Sequence, residues 1–576
     1  MTVGITPGMR TPRRIATAAL GLLCLGGGPL LPMTTAGAVP PVPADRAQPW
    51  PAATTLDTSV DIENPQVLAR YASSDSGSAN RAVWVSRGLG SSAVHLAEGP
   101  PLSAGSVTNL SAGVTRIGAF DTGAGLMSWY DVGRGVLQVV GIGVSGGLGT
   151  SFGVLFGPSP VPGTELMGNP VELTVADGGE GTRAAVVWTY RQPDGQFRTY
   201  LVLVTVDAIN ERFTFGPPQA VLGPLPSIDQ VRAYWVGTRL LVAYRTTQGG
   251  SQSLRLRTGT MTDGITWTDD QPFCESTVTP AGPGCADPAF AYSGQTQLLY
   301  RQVGTDGVPA LTSRVLAPGL GAPTVLGPAP APFAVHDRVT EPRPRGRAVT
   351  TRLAVATADD HGVRVWRADQ DGVFAPAEQV STGPATGIAV GARRSDDLVL
   401  WRQGSSVVTT RGRGDRWSSP VLVSGTDTVV DAGLSRAGSL PVVWYVDTVP
   451  QGERLRTSFI DDEGPNTIWW GIRRAKHHPR MLRLGFHSDD PSGIRISTVQ
   501  VRFGPPGDLG PWGVFDRRTH KGPLQIDRTL TLRGRPGIRY CARARAVDTL
   551  GNVGPWGRKS SDDGAYFTKD CITVRP

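Results

Sequence analysis

The sequence predicts an all-β chain on three observations: one strand-like phrase recurs, Gly and Pro are abundant (74 and 48 of 576 residues), and charged residues are only 18%. The phrase is clearest as Ala184-Ala185-Val186-Val187-Trp188-Thr189-Tyr190-Arg191. It returns at 81–87, 125–130, 240–245, 297–301, 398–402 and 441–445, with a weaker copy at 352–356. Copies begin about 43 to 59 residues apart, the period of propeller blades rather than of helical solenoids. Gly and Pro are the two poorest helix residues, so composition and repeat agree. A seven- or eight-bladed β-propeller is the architecture this spacing supports, with a pair of stacked β-sandwiches as the rival.

Residues 1–38 read as a signal peptide. Arg10, Arg13 and Arg14 form a positive start, residues 15–25 are apolar but too short to span a bilayer, and Ala36-Gly37-Ala38 offers a small-x-small cleavage site. Arg13-Arg14 leaves twin-arginine export open, but Ala16 and Thr17 follow where bulky apolar residues belong, which favours the ordinary route. Nothing later is apolar enough for a transmembrane segment. Residues 39–60, opening Val39-Pro40-Pro41-Val42-Pro43, read as a flexible Pro-rich leader.

The propeller is expected over 61–464. Each copy of the phrase is a buried strand, followed by a turn, a second strand and a Pro-bearing edge segment such as 215–223 or 321–327. Proline cannot donate to a ladder and belongs at a blade's outer edge. Asp194-Gly195, Asp306-Gly307 and Asp371-Gly372 predict type I′ hairpins. The eighth copy lacks an edge segment of its own, and the chain near 67–71 is the candidate to supply it.

From 465 the grammar changes. Residues 482–486 and 496–503 alternate, and Pro536-Gly537-Ile538-Arg539-Tyr540 opens a further alternating strand that leads to Gly551-Asn552 and Gly554-Pro555-Trp556. This stretch resembles a fibronectin type III module, which implies a β-sandwich over 465–576. Phe486 stands where that family usually buries a Trp. In the strand after the corner, Tyr540, Ala542, Ala544 and Ala546 share one face, and Cys541, Arg543 and Arg545 the other.

Beyond Cys24 the cysteines are Cys274, Cys285, Cys541 and Cys571, two sequence-local pairs. Three connectivities are open; the local one closes the shortest loops and suits an oxidising compartment. A zinc site would want Cys-x-x-Cys spacing or nearby His, and neither is present.

Residues 465–576 carry 20 Lys+Arg against 9 Asp+Glu, while the rest carries 36 against 39. Arg473, Arg474, Lys476, Arg480, Arg543 and Arg545 are therefore the candidate contacts to an anionic polymer. The run at 473–480, with His477-His478 after Trp469-Trp470, also reads as a solvated interdomain linker. Other motifs are weaker. Thr262-Asp263-Gly264-Ile265-Thr266-Trp267 resembles the Asp-box turn of sialidase-type propellers, one residue short. Gly143-Val144-Ser145-Gly146-Gly147 has nucleophile-elbow spacing but no helix to follow it. Asp369-Gln370-Asp371-Gly372 begins like a calcium loop that lacks its later ligands. The recurring Trp84, Trp188, Trp401 and Trp444 read as core rather than as sugar platforms.

No nucleophile–base pair, metal cluster or phosphate-cradling loop is assignable, so neither a cofactor nor a metal is implied. The functional expectation is a secreted, non-catalytic recognition or surface-associated protein. Its partner would be an acidic glycan, a cell-wall polymer or another secreted or surface protein, not nucleic acid. A sialidase-like glycoside hydrolase with dispersed catalytic groups is the alternative.

Overall fold

The computed structural model describes residues 53–575 other than 71–78, 99–106, 112–115, 142–155, 165–169, 178–182, 208–211, 278–283, 339–351, 435–441, 460–463, 560–569 and a few shorter stretches. The signal segment and the Gly143–Gly147 motif lie outside these residues, as do Thr262, Asp263 and Asp306.

Among the described residues the regular structure is β throughout, in ten sheets. Eight of them, each of four or five antiparallel strands, succeed one another from Thr54 to Phe459. In every one the recurring phrase is the second strand: Ala79–Arg87, Leu126–Asp131, Arg183–Arg191, Arg239–Gln248, Thr296–Val303, Arg352–Asp359, Asp396–Gln403 and Val442–Val449. A second strand is hydrogen-bonded on both edges and covered on both faces. That is why the phrase is a continuous apolar run rather than an alternation.

Each sheet shares a core with the next. Val83, Val85 and Val94 of the first pack with Ile117, Met127 and Trp129 of the second. Leu137 and Val139 of the second pack with Val186 and Trp188 of the third, and the pattern continues around the array. The last core joins the eighth sheet (Val442, Trp444, Leu455) to the first (Ile62, Ala82, Trp84), so the row of sheets closes into a β-propeller. Trp84, Trp188, Trp401 and Trp444 are all buried, consistent with core packing.

Closure departs from the sequence expectation. The outermost strand of the eighth sheet is Thr54–Ser59, paired with Gly452–Phe459 from Thr54↔Thr457 to Ser59↔Glu453. It lies inside the stretch read as flexible leader, while residues 67–70 belong to the first sheet's own first strand, Asp61–Arg70. Leu56 enters the closing core and Asp57 accepts a hydrogen bond from Trp84 Nε1 at 2.7 Å. A six-residue strand with one buried apolar residue has no period to detect.

The Asp-Gly turns also differ. At 192–196, Gln192 N donates to Gln196 O and Gly195 N to Gln192 O, and only the glycine has positive φ (83°). The same two backbone hydrogen bonds recur at 304–308 and 369–373, and Gly307 and Gly372 also have positive φ. These are three-residue loops with a left-handed glycine, not type I′ turns. In the last of them Asp369 Oδ1 accepts from Asp371 N and Val373 N, so the would-be calcium ligand is spent on its own turn.

Both cysteine pairs are bonded as the local reading expects. Cys274–Cys285 ties the outer strand Gln271–Thr277 of the fourth sheet to the first strand Cys285–Tyr292 of the fifth. Cys541–Cys571 joins directly paired residues of two adjacent strands.

Beyond Asn466 two more sheets share one core. In the first the order is Gln525–Arg533, His478–Asp489, Asn466–Ala475, Arg558–Lys559; in the second it is Gly513–Thr519, Ile494–Gly504, Arg539–Asp548, Cys571–Thr573. Trp469, Phe486, Val499, Tyr540 and Ala544 are part of that core. Tyr540 OH accepts from Arg535 N at 2.9 Å across the Pro536-Gly537 corner. The basic run 473–480 is thus a hairpin of this β-sandwich and not a linker. Trp469 points into the core because its strand alternates, a pattern that the flanking charges obscured.

Candidate functional site

The strand Arg539–Asp548 turns its small residues inward and Arg543 and Arg545 outward. Register then gathers further cations on the same face. Gln500 lies opposite Arg543, Thr498 opposite both Arg545 and Arg517, and Arg502 opposite Cys541. Directly paired residues point to the same side of a sheet, so Arg502, Arg517, Arg543 and Arg545 share one outer surface.

Two indoles interleave three of these cations. Trp512 and Trp556 arrive from two copies of one tetrapeptide, Gly510-Pro511-Trp512-Gly513 and Gly554-Pro555-Trp556-Gly557. Proline cannot continue a ladder, so each copy leaves the strand direction and carries its Trp over the sheet. The second copy packs beside the start of the sandwich's first strand: a Cβ on Gly554 would lie 2.1 Å from the carbonyl oxygen of Pro465, the residue before that strand, so only glycine fits. Guanidinium carbons then stand over the rings in the order Arg502, Trp512, Arg543, Trp556, Arg545, at 4.7, 4.3, 4.0 and 4.4 Å. Gln500 Oε1 accepts from Arg543 Nε (3.0 Å) and Nη2 (2.7 Å), which orients the central cation.

The charge on this ladder is not neutralised locally. Among the described residues none of Arg502, Arg543 and Arg545 has a carboxylate partner. Burial, with Arg545 and Arg502 close by, pulls the Arg543 pKa below its usual range. Crowded guanidiniums with their faces against indoles keep their edges for a ligand, and an oxyanion answers both the donors and the charge.

The structure divides the six expected contacts. Arg543 and Arg545 lie on the ladder. Arg473, Lys476 and Arg480 are exposed around the hairpin of the other sheet, and Arg474 Nη2 donates to Thr573 O at 2.7 Å. Arg502, Trp512 and Arg517 were missed, and Trp556 was read only as part of the module's hairpin, although the duplicated Gly-Pro-Trp-Gly was a visible signal.

In the propeller the arginines that end the recurring phrase act differently. Arg87, Arg245 and Arg301 pair with Glu63, Asp229 and Asp287 of their own sheets. Arg87 also donates to Ile117 O, Arg301 to Pro330 O and Arg402 to Val430 O, reaching the following segment of chain. They clasp neighbouring sheets together. Among the described residues no group of three or more His, Cys, Asp or Glu could hold a metal ion, and no helix is long and apolar enough to cross a membrane.

The chain matches no protein-family model and no curated protein. Solved structures with some likeness include a Dos1 propeller (9% identity, TM-score 0.39, covering 71% of this chain and 95% of that one). Others are the Trypanosoma rangeli sialidase in complex with sialic acid (10%, 0.26, 69% and 89%) and AofleA from Arthrobotrys oligospora (11%, 0.27, 63% and 90%). At such scores neither a shared ligand nor a shared reaction follows.

Proposed function

We propose that this is a secreted, non-catalytic recognition protein, an eight-bladed β-propeller joined to a fibronectin type III-like module that docks on anionic extracellular polymer. Eight successive sheets and eight shared cores support the blade number. Two four-stranded sheets packed on one core, with the Tyr540 hydroxyl bonded back to Arg535 N across the Pro536-Gly537 corner, support the module. Two disulfides suit an oxidising compartment and fit the signal segment expected at 1–38.

One observation carries the docking: three arginines interleaved with two tryptophans, without a carboxylate partner among the described residues. Polyanions such as acidic glycans or phosphate-bearing cell-wall polymers match it. Purified protein should bind isolated anionic cell-wall polymer, less as salt rises, because exposed charges are screened over about 8 Å at physiological ionic strength. Replacing Arg502, Arg543 and Arg545 by Gln should abolish that binding, whereas replacing Arg473, Lys476 and Arg480 should only weaken it. Binding that ignores salt, or that survives the ladder variant, would refute the docking. Turnover of aryl glycosides or sialosides would refute the non-catalytic part.

A further inference from the structure

In a repeat protein, ligand chemistry is to be sought where the repeat's own rule is broken, because obeyed rules are already explained by packing. In the first, fourth and fifth sheets a carboxylate near the start of the first strand meets the arginine that ends the recurring phrase, the first such pair being Glu63–Arg87. Asp229–Arg245 and Asp287–Arg301 are the pairs of the fourth and fifth sheets. The third sheet has no such pair. Glu172 opens the first strand Glu172–Asp177, but the residue opposite is Thr189, so this carboxylate has no arginine of its own. The fourth sheet, whose own pair is intact, carries a further cation. Arg232, exposed on the first strand Asp229–Val236, has no carboxylate partner among the described residues, and its Nη1 donates to the neighbouring Val231 O at 2.8 Å.

The unmatched acid and the unmatched base face each other across one sheet boundary. Glu172 feels the Arg232 charge but makes no ion pair with it, and among the described residues its hydrogen bond is from Gln230 N to Oε1 at 3.3 Å. Burial pushes its carboxyl above the usual range, with Arg232 opposing that rise. The backbone beneath is held in an unusual form. Gln230 (φ 52°) and Asp287 (φ 54°) are the two non-glycine residues with left-handed φ among the described residues. They are also tied to each other: Asp287 N donates to Gln230 Oε1 at 2.8 Å and Gln230 Nε2 to Asp287 Oδ1 at 3.4 Å. Strained conformations persist where surroundings over-determine them, and they concentrate at ligand sites.

We propose that this edge of the third to fifth sheets is a binding site for a neutral saccharide, contacted by Glu172 and Arg232. The Asp229–Arg245 and Asp287–Arg301 pairs are its rigid frame. Charge identifies the ligand class. Three carboxylates and three guanidiniums balance, so a free ion gains little, unlike at the tryptophan ladder. A hydroxyl both donates and accepts; neighbouring sugar hydroxyls can donate a hydrogen bond to Glu172 and accept one from Arg232. The site is separate from the anion-binding face, and either can fail without the other.

The test is an array of neutral and anionic oligosaccharides probed with the purified full chain, followed by titration of the best neutral sugar. A neutral oligosaccharide should bind, and Glu172→Gln and Arg232→Gln should each weaken it at least tenfold. Both variants should fold, since Gln at 172 can still accept from Gln230 N and Arg232 is exposed; unchanged near-ultraviolet circular dichroism checks this. Neutral-sugar binding should also persist when Arg502, Arg543 and Arg545 are replaced by Gln, which separates this site from the ladder. Absence of any neutral hit, or hits indifferent to both substitutions, would overturn the proposal.

Discussion

Two sets of arginines, one in the propeller and one on the outer face of the sandwich, are used in opposite ways. In the ring, Arg87, Arg245 and Arg301 are answered by carboxylates, and Arg402 by a backbone carbonyl. In the sandwich, Arg502, Arg543 and Arg545 are answered by indoles. A carboxylate cancels the charge and fixes the geometry between sheets. An indole attracts the cation but leaves its charge standing. The same residue therefore builds structure in one region and a field in the other.

The largest effect should come from removing the closing strand. A chain lacking residues 53–59 exposes the edge of Gly452–Phe459 and uncovers the core between the eighth and first sheets, and unpaired edges associate. Size-exclusion chromatography should show aggregation, and Leu56→Ala alone should cost about 2–4 kcal/mol. A truncated chain that stays monomeric with an unchanged thermal transition would break the picture of a closed ring.

Replacing Cys541 and Cys571 by Ser opens a loop with a sequence separation of 30. About 3–4 kcal/mol should be lost on the chain-entropy account. Calorimetry should place the loss in the sandwich transition and leave the ring transition in place, sharpening the division between the two.

A pH effect should follow from Asp489, whose carboxyl burial pushes up to about 6. Between the unfolded pKa near 4 and the folded value, the folded state binds more protons. Stability from this group is therefore full below about pH 4 and falls as pH rises to about 6, by on the order of 2–3 kcal/mol. Denaturant titrations at pH 4, 5 and 6 should show the fall, and Asp489→Asn should flatten it.

The smallest pair of effects sharpens the arginine comparison directly. Arg245→Gln leaves Asp229 without its partner and should cost about 2 kcal/mol. Arg545→Gln should change stability by less than about 0.5 kcal/mol, because the lost cation–π contact is offset by relief from Arg543. Equal costs would mean that the two sets of arginines do the same work.

Much of the fold was legible because a second strand buried on both faces writes itself as an unbroken apolar run, as at 184–188. Both disulfides were legible because their partners lie near each other in the chain. The closing strand was not, since Leu56 is the one buried residue in Thr54–Ser59 and its partners lie some four hundred positions away. The hairpin turns were assigned to the wrong type because Asp-Gly suits both loops, and only the backbone hydrogen bonds distinguish them.

Composition and local period by themselves determined an all-β chain, the repeat, the change of grammar near 465 and the surplus of positive charge beyond it. Which arginines meet carboxylates and which meet indoles was decided by tertiary structure alone. Register brings Arg502, Arg517, Arg543 and Arg545 to one face, and two separate Gly-Pro-Trp-Gly turns deliver the rings between three of them. Charge is written in the sequence residue by residue; whether it is cancelled depends on neighbours that the chain brings together only by folding.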